Sequence, residues 1–323
     1  MKTSITDTEK ISFISNVFGE TQMARDGRNV AVCCPSCGEK EKKKLAIRID
    51  DWQFHCWVCG SKGKSLVPLL RKHSAREVLN YYRDRFLGQV IRDSGVEAVE
   101  VVESVTMPEG ARLIVEHLHT RDPDLRACIS YLRGRGINDD LMWRFRLCFS
   151  NMGRHRRRII MPSFDNLGDL NYFVSRSIDG SFPKYLNCKA NKTKIVFNDI
   201  DIDWDSELTV CEGPFDLMKC DRNSTCLLGS NMGDDTMLFK KIVVNEAEVV
   251  LALDSDMQSK TQKIAASLAS YGCKVKILEL GDKKDVGEMS PDEFISAKGI
   301  AKTWQPRDRM IHKISLIRSS SIV

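Results

Sequence analysis

The segment Val249-Val250-Leu251-Ala252-Leu253-Asp254-Ser255-Asp256 is the most informative part of the sequence, because its short apolar run ends abruptly at two carboxylates. A second apolar run, Leu208-Thr209-Val210-Cys211, is followed in the same way by Glu212-Gly213-Pro214-Phe215-Asp216. Such runs, alternating with helical segments, are typical of a parallel sheet that is covered on both faces. The sequence therefore predicts an α/β unit inside a chain that is α+β overall.

Acidic side chains follow the predicted strands of this unit, namely Glu212, Asp216, Asp254, Asp256 and Asp285. The carboxyl ends of parallel strands meet at one edge of a sheet, so we expect these acids to converge. Two residues apart on an extended chain, Asp254 and Asp256 would project from the same side. Clustered carboxylates repel one another, and their oxygens suit Mg²⁺ or Mn²⁺. We expect Glu212, Asp254 and Asp256 to hold a catalytic divalent cation; solvated strand-end acids are the alternative, which the presence of two motifs disfavours.

Two cysteine pairs near the start of the chain predict a second metal site. The sequence Cys34-Pro35-Ser36-Cys37 is followed, after eighteen residues, by Cys56-Trp57-Val58-Cys59. Each pair can bind one ion with two thiolates, and two pairs complete a tetrahedral four-thiolate site for Zn²⁺. Two short strands, over 45–49 and 52–55, are predicted between the pairs. This pattern predicts a zinc ribbon with one structural zinc ion.

Cys33 and His55 adjoin the cysteine pairs but lack the spacing that lets both donors of a pair face one ion. His55 is interpreted instead as a support for the site or a contact to nucleic acid. Aromatic residues around it, among them Trp52, Phe54 and Trp57, would either stack on unpaired bases or fill the ribbon core. The sequence leaves both roles open for each of them.

Charge is distributed very unevenly along the chain. The formal net charge is only +5, yet residues 126–200 carry +8 and residues 201–300 carry −8. A basic block beside an acidic block indicates a cleft for a polyanion next to a site that collects cations.

Gly63-Lys64-Ser65 is like the end of a phosphate-binding loop, but Val58 stands where that pattern needs glycine, so we reject a nucleotide site there.

The cellular compartment is inferred from the distribution of apolar residues. The chain has no apolar leader and no run near the ~20 apolar residues of a membrane-spanning helix, so we expect a cytoplasmic protein without a membrane partner. Its twelve cysteines are then read as zinc ligands and buried thiols, not disulfides.

Apolar periodicity predicts helices over 66–87 and 110–133 and a short helix over 139–145. A β-hairpin is predicted from Ile159 to Arg176, turning at 165–168.

The motifs together resemble one family. Glu212-Gly213-Pro214-Phe215-Asp216 with Asp254-Ser255-Asp256 resembles the Toprim domain. The four-cysteine ribbon, Tyr131-Leu132-x-x-Arg135-Gly136-Ile137 and Pro183-Lys184-Tyr185-Leu186-Asn187 are similar to bacterial-type replicative DNA primases, in their short bacteriophage form. The resemblance covers residues 30 to about 295.

This resemblance implies synthesis of RNA primers from ribonucleoside triphosphates on single-stranded DNA. Glu212, Asp216, Asp254, Asp256 and Asp285 would be the catalytic acids, with Glu212 either a metal ligand or a proton acceptor. Nucleotide and template would be held by the basic and polar residues Arg176, Lys184, Asn187 and Lys192, the last of which could be replaced by Lys189 or Lys194 in a shifted alignment. A separately encoded replicative helicase is the expected partner protein.

Residue patterns and resemblance together divide the chain into five predicted parts: a zinc-ribbon template-recognition domain (1–66), a helical linker (67–109), a basic subdomain of the RNA polymerase core (110–205), a Toprim catalytic subdomain (206–300) and a basic C-terminal tail (301–323). Two other functions stay open. A Toprim nuclease would use the same metal site to activate water, and a non-catalytic zinc-dependent single-stranded-DNA-binding protein would not need the acids at all.

Overall fold

The computed structural model describes residues 5–38, 42–87, 105–229, 232–283 and 285–320. Three five-stranded sheets follow one another along these residues, which confirms the predicted α+β class. Part of the predicted linker, residues 88–104, lies outside the described ranges. Within those ranges, no helix is both long and apolar enough to cross a membrane.

The first sheet is the predicted ribbon, an antiparallel meander whose five strands lie in sequence order. Its strands are β1 (Gln22–Met23), β2 (Asn29–Val32), β3 (Leu45–Arg48), β4 (Phe54–Cys56) and β5 (Lys62–Gly63). Three helices accompany it: α1 (Asp7–Phe18), α2 (Val67–His73) and α3 (Arg76–Tyr82), the last continued by a π-helical turn over Arg83–Leu87. The long helix predicted over 66–87 is thus broken into shorter pieces, and α1 was missed.

Aromatic side chains join these helices to the ribbon. Trp52, from the ribbon, lies with its ring centroid 5.1 Å from that of Tyr82 and 4.8 Å from that of Phe86. Phe13 of α1 closes the cluster, 5.0 Å from Phe86. Residues on both sides of the predicted boundary at 66 therefore share one hydrophobic core.

The second sheet forms the basic part of the chain, with strand order β10-β9-β8-β7-β6 and antiparallel pairing throughout. Its strands are β6 (Arg112–Leu113), β7 (Cys148–Phe149), β8 (Arg158–Phe164), β9 (Leu170–Ser177) and β10 (Tyr185–Asn187). The predicted hairpin is β8–β9. Two helices accompany the sheet, α4 (Pro123–Gly134) and α5 (Asp139–Arg144). The helix predicted over 110–133 is wrong in its first half, because Asp122 caps α4 and Pro123 occupies its first turn.

The third sheet is the predicted Toprim-type unit, with strand order β12-β11-β13-β14-β15. Its first four strands are parallel, and the short edge strand β15 is antiparallel. The strands are β11 (Leu208–Cys211), β12 (Ser224–Cys226), β13 (Val249–Ala252), β14 (Val275–Ile277) and β15 (Lys302–Thr303). Helices α6 (Met237–Asn245), α7 (Gln258–Ser270), α8 (Pro291–Gly299) and α9 (Pro306–Ser320) complete the unit. Because Cys211 pairs with Ala252, the acids that follow both strands begin at the same level of the sheet.

The ribbon module packs against the third sheet at the end remote from these acids. Arg71 lies 3.2 Å from the Glu246 carboxylate, and Arg83 donates to the Val244 carbonyl at 3.0 Å. Val244 lies in the last turn of α6 and Glu246 caps that helix, shortly before β13. Gly272, which precedes β14, has a φ of +90°, and a Cβ there would lie 3.0 Å from Val67. The close approach of α2 therefore requires glycine at this position.

One buried hydrogen bond of the ribbon module gives a stability prediction. The Tyr82 hydroxyl accepts from the Leu66 amide at 3.2 Å, and both residues are fully buried. Tyr82→Phe leaves this N–H without a partner, so we expect the free energy of unfolding to fall by about 1–3 kcal/mol. The matched control Tyr81→Phe alters a half-exposed ring and should change it by less than about 0.5 kcal/mol. Equal denaturation midpoints for the two variants would contradict the assignment.

Candidate active site

Three of the five predicted acids come together at the carboxyl edge of the third sheet. Single carboxylate oxygens of Glu212, Asp254 and Asp256 all lie within 4.8 Å of one another. Glu212 directly follows β11, and Asp254 lies two residues after β13. Glu212 and Asp254 are partly buried, whereas Asp256 is exposed.

The local conformation of the Asp-x-Asp motif differs from the prediction. Residues Ser255–Met257 form a 3₁₀ turn that Asp254 precedes, so the predicted extended chain is wrong. The chain turns here because α7 begins immediately afterwards, at Gln258. The turn still brings an oxygen of Asp256 close to Asp254.

Unpaired oxygens in this group fit a cation. Glu212 Oε2 and Asp254 Oδ1 are buried and have no hydrogen-bond partner among the described residues. Burial, together with the neighbouring carboxylates of Glu212, Asp216 and Asp285, raises the pKa of Asp254 to about 7. Buried acceptor oxygens without a partner are costly, and a bound divalent cation removes both the missing interaction and the charge repulsion. The donor set therefore fits Mg²⁺ or Mn²⁺.

Asp216 lies deeper than these three acids. It begins a 3₁₀ turn over Asp216–Lys219, and its Oδ2 accepts from the Gly213 amide at 3.0 Å. Burial and the nearby carboxylates of Asp285 and Glu212 together raise the pKa of Asp216 to about 6, against the opposing hydrogen bond from Gly213. Asp285 lies on the opposite loop, where its Oδ1 accepts from the Glu288 amide at 3.0 Å.

Gly287 allows these two parts of the site to approach each other. A Cβ at this position would lie 3.0 Å from Asp285 Oδ1, 3.3 Å from Asp216 Oδ1 and 3.4 Å from Arg135. Any larger residue would push the loop away from Asp216. Glycine at this position therefore lets the loop of Asp285 approach Asp216 closely.

A cavity of about 1000 Å³ joins the acids to the basic sheet. Its acidic wall contains four of the predicted acids, Glu212, Asp216, Asp254 and Asp285. All four predicted nucleotide- and template-binding residues line it too: Arg176, Lys184, Asn187 and Lys192. Asp256 is not among the described residues that line the cavity, and neither are Lys189 and Lys194, the alternatives to Lys192.

Arg176 is held by aromatic rings. Its Cζ lies 5.2 Å from the ring centre of Phe215, 5.3 Å from that of Tyr185 and 5.9 Å from that of Tyr131. It also donates a hydrogen bond to the Tyr185 hydroxyl. Cation–π contacts of this kind fix a guanidinium in place without neutralising its charge. Arg176 can therefore present a full positive charge to an anion in the cavity.

Two further cations of the cavity were not among the predicted site residues. Arg135 lines it at the end of α4, and Lys219 lies one turn after Asp216, where its Nζ donates to the Arg135 carbonyl at 2.7 Å. Burial and the nearby Arg135 charge lower the pKa of Lys219. Arg135 belonged to a quoted motif, but Lys219 carries no sequence signal that separates it from a surface lysine.

The four cysteines of the ribbon also converge. Sulfur atoms of Cys34, Cys37, Cys56 and Cys59 all lie within 4.8 Å of one another, with 3.8 Å between Cys34 and Cys59 and 3.9 Å between Cys37 and Cys56. A tetrahedral site with Zn–S bonds of about 2.3 Å places its sulfurs about 3.8 Å apart. The cluster thus supports the predicted structural zinc site, and Cys33 is outside it.

Ribbon aromatics fall into two groups. Trp52 and Phe54 are buried in the ribbon core, so the core role applies to them. Trp57 is 73% exposed, and its ring lies 4.3 Å from that of His55. Of these four aromatic residues, Trp57 and His55 are the two that remain available to a ligand.

Fold and site together define a zinc-ribbon protein with an antiparallel basic sheet and a Toprim-type acidic site. No family model matches the chain. It is 25% identical to a DNA primase of Clostridium acetobutylicum over 87% of this chain and 54% of the relative, and 23% identical to a DNA primase of Geobacillus stearothermophilus over 88% and 56%. These relatives confirm the resemblance to bacterial-type DNA primases.

The chain spans about half the length of these curated relatives. Among solved structures, it is similar to the zinc-binding and RNA polymerase domains of the Aquifex aeolicus primase, with 17% identity and a TM-score of 0.49 over 94% of this chain and 87% of that one. The predicted bacteriophage origin stays a prediction.

The cysteine cluster gives a prediction about zinc content. Cys34→Ser removes one of the four thiolate ligands. In the unmodified protein, burial raises the pKa of the Cys34 thiol to about 12, so the thiolate forms there only when a cation is bound. We expect the purified variant to contain much less than one zinc per chain by atomic emission. Cys33→Ser, one residue away, should retain its zinc. A full zinc complement in Cys34→Ser would remove Cys34 from the site.

The raised pKa of Asp254 gives a prediction about pH. A carboxyl whose pKa is higher in the folded state lowers stability as the pH rises from about 4 to about 7, since the folded protein then releases its proton later than the unfolded chain. Without added divalent cation, Asp254→Asn should therefore melt at a higher temperature than the unmodified protein at pH 8, with little difference at pH 4.

Manganese should reverse that order. Added Mn²⁺ is expected to raise the melting temperature of the unmodified protein at pH 8 and to have little effect on Asp254→Asn. Asp282→Asn, an exposed isosteric control that does not line the cavity, should behave as the unmodified protein does. Equal responses to Mn²⁺ in all three proteins would exclude Asp254 as a ligand.

Proposed function

We propose that the protein is a DNA primase that makes short RNA primers from ribonucleoside triphosphates on single-stranded DNA. One observation carries this proposal: a single cavity has a wall of carboxylates on one side and a wall of cationic side chains on the other. The DNA primases that are similar to most of the chain support it. The primase relatives also support single-stranded DNA as the template, and the carboxylate cluster supports Mg²⁺ or Mn²⁺ as the catalytic ion.

Primer synthesis needs a 3′-hydroxyl to attack the α-phosphorus of a second nucleotide, while pyrophosphate leaves. The barrier depends mainly on positioning two anionic reactants and on stabilising the charge that develops. Glu212, Asp254 and Asp256 would hold the cation. When bound, Mg²⁺ or Mn²⁺ supplies positive charge to the phosphate oxygens and lowers the pKa of the attacking hydroxyl.

Other residues of the cavity have distinct proposed roles. Arg176, fixed between three rings, would bind a phosphate group in one orientation. Lys184 and Lys192 would contribute charge, and Asn187 would donate or accept hydrogen bonds. Asp216 would act as a positioning residue, because one of its oxygens is already engaged by Gly213.

The ribbon would contact the template. Its exposed Trp57 beside His55 offers a stacking surface of the kind that single-strand-binding proteins use. The ribbon module packs at the opposite end of the third sheet from the acids, so its contact with the template would lie away from the catalytic cavity. The separately encoded helicase and the cytoplasmic location stay predictions.

Loss of activity on removal of one acid tests this function. Asp256→Asn keeps the size of an exposed side chain but replaces a charged carboxylate donor with a neutral amide oxygen, so we expect primer synthesis to fall by at least about 100-fold. The assay combines single-stranded DNA, Mg²⁺ and labelled ribonucleoside triphosphates, and the products are separated on a denaturing gel. Asp282→Asn serves as the control and should keep full activity.

The same gel separates the alternative functions. Extended labelled products identify a primase, and shortened DNA without extension identifies a nuclease. Binding of DNA without any turnover would indicate a non-catalytic binding protein. Normal primer yield from Asp256→Asn would contradict the metal-site assignment.

A further inference from the structure

A second large cavity opens beside Trp143, at the end of α5. Its volume of about 980 Å³ is close to that of the catalytic cavity. None of the residues assigned above to catalysis or nucleotide binding is among the described residues that line it. Trp143, three arginines and Asp201 form much of its wall, which we call the Trp143 groove.

The arginines of the groove differ in how their charge is compensated. Arg146 lies 3.5 Å from Asp201 and is therefore paired. Arg144 donates to the backbone carbonyl of Arg222 at 2.7 Å, which fixes its guanidinium without neutralising it. In the part of the chain that the structure describes, no carboxylate oxygen lies within 4.0 Å of Arg144 or Arg222. Two adjacent positive charges are thus held in the groove without an ion pair.

Electrostatics at Arg144 agree with this geometry. Burial lowers the pKa of Arg144; the Asp201 charge opposes this effect, the Arg222 charge adds to it, and the Asp221 charge again opposes it. A bound anion between the two arginines would relieve this repulsion. Phosphate suits the position, because a guanidinium can donate two parallel hydrogen bonds to it.

Trp143 adds a second recognition element. Its side chain is 62% exposed, although an indole usually gains from burial. An exposed aromatic face next to unpaired arginines is the combination that binds single-stranded nucleic acid, since bases stack on the ring and phosphates contact the cations. Two carboxylates, Asp140 and Asp201, line the groove together with its three arginines. Asp201 is already paired with Arg146, so among the described residues of the wall only Asp140 remains to oppose the charges of the other two arginines.

The groove and the catalytic cavity are lined by neighbouring residues of one segment of chain. Gly134 and Arg135 line the catalytic cavity, and Arg133 and Gly136 line a smaller one of about 630 Å³. That smaller cavity shares Asn138 and Asp140 with the Trp143 groove. Three concave regions therefore follow one segment of chain, from the end of α4 to the end of α5. The acid at its middle, Asp139, is paired with Arg133 at 3.1 Å.

We propose that the Trp143 groove holds single-stranded nucleic acid that continues from the catalytic cavity, with a base stacked on Trp143 and phosphates bound by Arg144 and Arg222. The strand is the DNA template, because a template extends beyond the active site whereas a short primer does not. This inference rests on the proposed primase function and adds a site to it.

Binding without nucleotides tests the groove independently of catalysis. Fluorescence anisotropy would compare labelled oligothymidylates of about 6 and about 25 nucleotides, the shorter spanning only the catalytic cavity. We expect Trp143→Ala to weaken binding of the longer strand by about 5-fold or more and to leave the shorter one unchanged, whereas Trp143→Phe retains most of the affinity. Arg222→Ala should lower the salt dependence, by about 0.7 in the slope of log affinity against log salt.

Controls and opposite outcomes are defined for the same assay. Arg307→Ala removes an exposed charge on α9 and should change neither affinity nor salt slope. A matched oligouridylate distinguishes the source: loss confined to RNA would overturn the template assignment and identify the groove as a product site. Unchanged binding of both strands by Trp143→Ala and Arg222→Ala would overturn the groove altogether.

The proposed function and the groove can fail separately. If the unmodified protein makes primers but Trp143→Ala binds the longer strand normally, only the groove is wrong. If the protein makes no primers while Trp143→Ala loses binding, the groove stands and the primase function is wrong. A base-mapped photo-crosslink from a 5-iodouracil oligonucleotide to Trp143 would support the groove directly, and crosslinks only to other aromatic residues would contradict it.

Discussion

Repulsion among carboxylates at one edge of a parallel sheet is the constraint on which the rest of this structure depends. Glu212, Asp254 and Asp256 lie within 4.8 Å of one another, and two of their buried oxygens have no partner among the described residues. Such a cluster lowers stability at neutral pH unless a cation joins it. A divalent ion bound during catalysis explains why the protein keeps a carboxylate cluster that lowers its folding stability.

The surrounding fold brings opposite charge to this edge without neutralising it. Arg176 is held by three rings instead of by a carboxylate, and Lys219 is held by a backbone carbonyl. Arg144 in the Trp143 groove is fixed in the same manner, through the carbonyl of Arg222. Cations positioned by neutral partners keep their full charge for an anionic ligand. The basic sheet therefore provides phosphate-binding positions, and the acidic sheet provides cation-binding positions.

Sequence alone predicted the elements whose signals are local. Apolar runs that end in acids identified β11 and β13, and the spacing of two cysteine pairs identified the ribbon and its four ligands. Features that depend on tertiary contacts could not be predicted from the sequence. The turn that bends Asp254-Ser255-Asp256 depends on where α7 starts, and the helices α1, α6, α8 and α9 were not predicted. Lys219 and the Trp143 groove could not be recognised, because they arise from contacts between segments far apart in sequence. The individual roles of the site residues stay predictions.

The most direct test of the central claim is anomalous scattering from crystals grown with Mn²⁺ and a non-hydrolysable ribonucleoside triphosphate. If these acids bind the catalytic ion, a manganese peak will lie within bonding distance of carboxylate oxygens of Glu212, Asp254 and Asp256. We also expect the triphosphate to lie in the same cavity, with phosphate oxygens contacting Arg176. A manganese peak elsewhere, an empty carboxylate cluster at saturating Mn²⁺, or a triphosphate bound outside the cavity would contradict the central claim.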